Sequence, residues 1–180
     1  MEIYKKYEHN PPHLFKAKAK YFITARTYKK KRFFKQDNAK ARLLESIYKG
    51  FNNNGWEIED WVILDNHYHL MVNSLDNSTN LGEIIKNIHK FSALWIKKNV
   101  KFAKNYKKIW FNYWDTCISY KNSYFTRINY IWNNPVKHNY CKYAENYKYG
   151  SYYNRYRYDR EYTESIINNY PFNKASIYDI

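Results

Sequence analysis

A chain of 180 residues and 22.3 kDa is long enough for one domain with a proper core. No apolar run approaches the roughly 20 residues of a membrane span, residues 1–6 lack the apolar core of a secretory signal, and two cysteines make no disulfide framework, so a cytoplasmic protein is expected. What stands out is a formal net charge of +15, the footprint of a polyanion binder, carried among 22 Tyr, 10 Phe and 6 Trp whose rings suit unpaired bases.

Residues 1–19 are polar and basic, with Pro11-Pro12 blocking regular structure, and read as a lead-in arm. Alternation of Phe22, Thr24 and Arg26 against Tyr21, Ile23 and Ala25 predicts a strand over Lys20–Thr27. A basic loop follows at 28–34, where Lys29, Lys30, Lys31 and Arg32 are candidates for holding phosphates. Leu43, Leu44, Ile47, Tyr48 and Phe51 share one face of a helix predicted over 37–51. Two strands, 56–64 and 67–73, are joined at Asp65-Asn66, a connection short enough for antiparallel pairing.

A longer helix is predicted over 80–104 from the stripe Leu81, Ile84, Ile85, Ile88, Phe91, Trp95 and Ile96. Residues 109–119 read as a fourth strand. Residues 122–137 read as a third helix, stopped or kinked by Pro135. Beyond it, 139–162 is rich in Tyr, Arg and Asn and reads as a surface loop, so that 1–180 is one domain with an arm and a tail at 139–180. The order strand, helix, strand, strand, helix, strand, helix predicts an α+β fold. Its ferredoxin-like form puts two helices on one sheet face and leaves the other for the third helix.

The chemistry concentrates on His67-Tyr68-His69. In a strand, alternate side chains share a face, so the two imidazoles can meet one metal ion. On the third helix Tyr130 and Asn134 are four residues apart and also share a face. A carboxamide oxygen from Asn134 would complete a His67, His69, Asn134 ligand set. Such a mixed nitrogen and oxygen set suits Mg²⁺ or Mn²⁺ with positions left for phosphate oxygens. Tyr130 would then stand beside the metal; Tyr120 and Tyr124 are its nearest rivals, but neither has a carboxamide at the matching offset.

Asn66-His67-Tyr68-His69-Leu70 followed by Tyr130-Ile131-Trp132-Asn133-Asn134-Pro135-Val136-Lys137 resembles the HUH-superfamily single-tyrosine transposases, and within them the REP-associated tyrosine transposases. The lead-in PPHLF, the strand YFITART, the segment Trp110 to Asp115 and Gly150-Ser151-Tyr152 fall in the matching order. Three positions depart from the family pattern: Asp65 replaces a usual proline, Tyr68 a usual aliphatic, and His138-Asn139 a usual Ala-Gly pair. The resemblance implies nicking and rejoining of single-stranded DNA through a 5′-phosphotyrosine link to Tyr130. It also implies a hairpin DNA partner, a nucleoid-associated location, and a monomer or a homodimer. Arg155 and Arg157, in the Tyr/Arg-rich tail, join the basic loop as expected DNA contacts. The alternative function is a transposase-derived nucleic-acid-binding protein without chemistry.

Overall fold

The computed structural model describes residues 16–78 and 80–174, and among these it holds four strands and five α-helices. In chain order they are β1 (Lys20–Thr27), α1 (Asp37–Asn52), β2 (Trp56–Ile63), β3 (His67–Ser74), α2 (Leu81–Asn99), β4 (Trp110–Ile118), α3 (Lys121–Lys137), α4 (Tyr152–Tyr158) and α5 (Arg160–Asn169). The strands form one antiparallel sheet in the order β2-β3-β1-β4, the ferredoxin-like arrangement expected from the sequence. The PPHLF motif lies outside the described residues.

The period-two pattern of β1 sorts the two cores. Tyr21, Ile23 and Ala25 join Tyr68, Leu70 and Val72 of β3 on the face covered by α1 and α2, whose Leu43, Ile47, Phe51, Ile84, Ile85 and Ile88 are buried against them. On the opposite face Phe22 and Met71 pack with Ile128, Ile131 and Trp132 of α3 and with Tyr152 and Ile166 of the tail helices. The sheet is therefore a wall between two apolar layers, and the histidines sit in the second.

Two expectations are corrected here. The helix predicted over 80–104 ends at Asn99; Val100 is extended, and a 3-10 turn, Lys101–Asn105, follows. Val100 and Ala103 are both buried, so the chain turns there to put them into the core and to bring Phe102 onto Phe33 before β4 starts. The tail is not a loop. Gly150 bridges to Val62, Tyr149 accepts from the Ile63 N–H and Ser151 donates to the Trp61 carbonyl, so the tail satisfies the free edge of β2. The tail then folds into α4 and α5, the second capped by the Asp159 carboxylate accepting from the Tyr162 N–H. Pro135 does not stop α3, which closes two residues later.

A half-buried histidine outside the second layer gives a stability prediction. The His89 ring stacks on Trp110 at 4.2 Å, and the Tyr68 hydroxyl donates to its Nε2 at 3.0 Å. Burial lowers its pKa from 6.5 to about 3, so it folds neutral. Because the folded value lies below the unfolded one, its contribution is complete above pH 6.5 and is lost as pH falls toward 3. Thermal unfolding should show stability declining through this window by about 1.4 kcal/mol per pH unit for each such imidazole. His89→Phe should remove one proton from that slope, and an unchanged slope would contradict the assignment.

Candidate active site

His67 and His69 open β3 on the α3 side of the sheet, their rings 5.1 Å apart and nearly perpendicular. Each is oriented through Nδ1. The Asn66 carboxamide oxygen accepts from His67 Nδ1 at 2.8 Å, and Thr24 Oγ1, directly across the ladder from His69, lies 2.8 Å from its Nδ1. Such partners fix the ring and turn Nε2 outward as the ligating atom. Burial holds both rings neutral: His67 is lowered to about 4, with the nearby His138, Lys137 and Lys30 adding to the effect, and His69 is lowered further below the ordinary value.

α3 brings the rest. Asn134 Oδ1 lies 3.2 Å from His67 Nε2. A neutral imidazole has one N–H, yet both His67 nitrogens face carboxamide oxygens. With Nδ1 donating to Asn66, a lone pair on Nε2 faces Asn134 Oδ1, and a cation shared by the two atoms resolves that conflict. The residues present thus fit a divalent ion. Among the described residues no three His, Cys, Asp or Glu side chains gather at a metal-sized site, so the third donor falls to Asn134.

Tyr130, one turn before Asn134, is buried with its ring 5.1 Å from that of His69 and packed against Phe22 and Phe172. Its hydroxyl is buried without a hydrogen-bond partner among the described residues, an expensive state for a group with no use. Lys137 places its ammonium 4.9 Å from the centre of the Tyr130 ring. The four residues singled out by spacing are therefore brought together by the fold.

The basic residues divide. The Asn66 side chain donates to the Lys30 carbonyl at 3.2 Å, tying the loop to the residue beside His67, and Lys29 and Lys30 are both held at positive φ. Lys29, Lys30 and Lys31 are exposed there. Arg32 and Lys40 instead hold the buried Asp65 carboxylate, at 2.9 and 2.7 Å. Arg155 donates from Nε to the buried Asp60 at 2.8 Å and from Nη2 to the Glu59 carbonyl, so its charge is engaged inside the protein rather than presented to solvent. Arg157 is exposed and stacks on Tyr153 at 3.7 Å.

Sequence reasoning missed Asp60. It accepts from Trp132 Nε1 at 2.7 Å, from Ser151 Oγ at 2.7 Å and from Arg155, joining β2, the tyrosine helix and the tail at one carboxylate. Burial pushes this carboxyl above its ordinary range while Arg155, Ser151 and Trp132 pull it back. Trp132 lies two residues from both Tyr130 and Asn134, so the carboxylate anchors the segment of helix that carries them.

The three departures from the family pattern each have a structural partner. Asp65 anchors the basic loop, and Tyr68 is buried and bonded to His89. Asn139 follows the helix end with φ of 59°, the left-handed conformation that Asn tolerates best after Gly.

This constellation on a ferredoxin-like sheet defines a class, and the comparisons agree: the family described as Transposase IS200 like matches residues 15–134, and the chain belongs to that family. Within it, the chain is 27% identical over 114 residues to the REP-associated tyrosine transposase of Escherichia coli (strain K12), a match spanning 62% of this chain and 63% of that protein. Its fold is also that of a solved REP-associated tyrosine transposase bound to a REP hairpin, with a TM-score of 0.65 at 20% identity over 100% of this chain and 95% of the other. Among the described residues, no helix is long and apolar enough to cross a membrane.

Proposed function

We propose that this transposase nicks and joins single-stranded DNA beside a hairpin, with Tyr130 as the nucleophile. The observation that carries the proposal is the convergence of the buried, unbonded Tyr130 hydroxyl with His67, His69 and Asn134. The Tyr130 oxygen attacks the scissile phosphorus, the bond to the 3′ oxygen breaks, and the phenolic proton is taken up by the departing 3′-hydroxyl. The product is a 5′-phosphotyrosine link, and because the phosphodiester energy is kept, the reverse step rejoins strands without a further energy source.

An Mg²⁺ or Mn²⁺ ion held by His67, His69 and Asn134 supplies Lewis-acid polarisation of the phosphate. The chain's own residues do the rest. Thr24 and Asn66 aim the two Nε2 atoms, Asp60 anchors α3 through Trp132, and Lys137 places positive charge over the ring that must carry phenolate character. Lys29, Lys30 and Lys31 stand where a phosphate chain would approach His67. Phe172 covers part of Tyr130, so a phosphodiester reaches the hydroxyl only once that contact opens.

The test is incubation with a labelled hairpin bearing an unpaired extension, with and without Mn²⁺ or Mg²⁺. Wild type should form a denaturant-resistant protein–DNA adduct only with metal, and Tyr130→Phe should form none while binding the hairpin as before. Equal, tight hairpin binding without any adduct from either protein would instead favour the binding protein without chemistry.

A further inference from the structure

The face that carries the histidines is only half covered. Cross-strand partners share a face, and the ladders define two rows across it: Asn112, Arg26 and His67 in one, Trp114, Thr24 and His69 in the next. α3 packs on β2 and β3, at the histidine end of both rows. At the other end β4 is an edge strand, and the residues standing there are Arg26, Phe111, Asn112 and Trp114.

Their arrangement is specific. The register shifts between Arg26 and Thr27, leaving Phe111 as the extra residue of a bulge, and bulges re-aim side chains. The Arg26 guanidinium lies 4.4 Å from the centre of the Phe111 ring and 5.5 Å from that of Trp114, and the two rings are 6.1 Å apart. Arg26 Nε is buried without a hydrogen-bond partner, and no carboxylate pairs with this guanidinium among the described residues. Phe111 is 39% exposed. A second half-buried guanidinium, Arg127 of α3, lies 5.7 Å from the Phe22 ring on the same face, its Nε likewise without a partner among the described residues.

An exposed ring backed by a cation that lacks a counter-charge is a poor arrangement for stability alone and a good one for a nucleotide. The ring offers a stacking platform to any base, and the guanidinium donates to the phosphate or base edge. We infer that Phe111, Trp114 and Arg26 form a subsite for an unpaired nucleotide flanking the phosphate held at the histidines. Two strand spacings, about 10 Å, separate the β4 end of each row from the histidine end, within reach of a neighbouring nucleotide. The subsite rests on the proposed DNA function but does not require the Tyr130 chemistry.

The experiment compares two labelled oligonucleotides, a blunt hairpin and the same hairpin with an unpaired single-stranded extension, by fluorescence anisotropy at fixed salt. Phe111→Ala should weaken binding of the extended hairpin about tenfold, the scale of losing one base stack, and leave the blunt hairpin unchanged. Arg26→Lys, which keeps charge but loses the planar fork, should show the same selectivity. Equal affinities of wild type and both variants for the extended hairpin would overturn the subsite, as would equal weakening toward both oligonucleotides. If wild type forms no adduct yet Phe111→Ala still loses only the extended hairpin, the subsite stands and the proposed chemistry fails. If wild type binds neither oligonucleotide, both fall.

Discussion

Alanine at His69 should reduce strand cleavage at least about 10³-fold, measured as the single-turnover rate of nicking with saturating metal. Removing a ligand forfeits phosphate polarisation worth several kcal/mol, and about 4 kcal/mol is a factor of 10³ in rate. Asn134→Ala should fall in the same range, because Asn134 Oδ1 is the third donor at the site. Thr24→Val is the informative companion. It leaves every ligand in place and removes only the oxygen that orients the His69 Nδ1, so the loss should be about 10- to 100-fold. A His69→Ala enzyme that cleaves as fast as Thr24→Val would mean that His69 is not a ligand.

The second large effect is on stability. Arg155→Met should destabilise the protein by about 3 kcal/mol, the lower end for breaking a buried ion pair, because the Arg155 side chain is 41% exposed while Asp60 is 3% exposed. For a chain of this length, that is a fall in Tm of roughly 6–12 °C. The deficit should depend on pH in a definite direction. Without Arg155 the Asp60 carboxyl is raised further above its unfolded value of 3.8, so the folded state binds the proton more tightly. The penalty is complete above the folded value and fades as pH falls toward 3.8. The double variant Asp60→Asn, Arg155→Met should recover most of the loss, since no charge is then left buried. Urea unfolding checks all three; a change within 0.5 kcal/mol for Arg155→Met would show that Asp60 is solvated after all.

The strands and the histidine pair were legible because both depend on period two alone. Tyr21, Ile23 and Ala25 had to leave Phe22, Thr24 and Arg26 on the other face, and His67 and His69 had to share it. Asn134 was legible from its four-residue offset to Tyr130. Asp60 was not, because a register shift between Ile58 and Asp60 turns it toward α3, and a bulge leaves no mark in an alternating pattern. Once Asp60 was missed, Arg155 could only look like a surface base. The tail was misread for a related reason. Its hold on the sheet comes from backbone groups at Tyr149, Gly150 and Ser151 pairing with the edge of β2, and hydropathy does not register that. The end of α2 at Asn99 followed from where Val100 and Ala103 find their core, a tertiary matter.

One experiment bears most directly on Tyr130. The adduct formed with hairpin DNA and Mn²⁺ is digested with protease and nuclease, and the residual nucleotide is located by mass spectrometry. The account predicts one modified peptide, with a phosphodiester-linked nucleotide on Tyr130. A nucleotide on Tyr120, Tyr124 or any other tyrosine, or cleaved DNA with no covalent link to the protein, would contradict it.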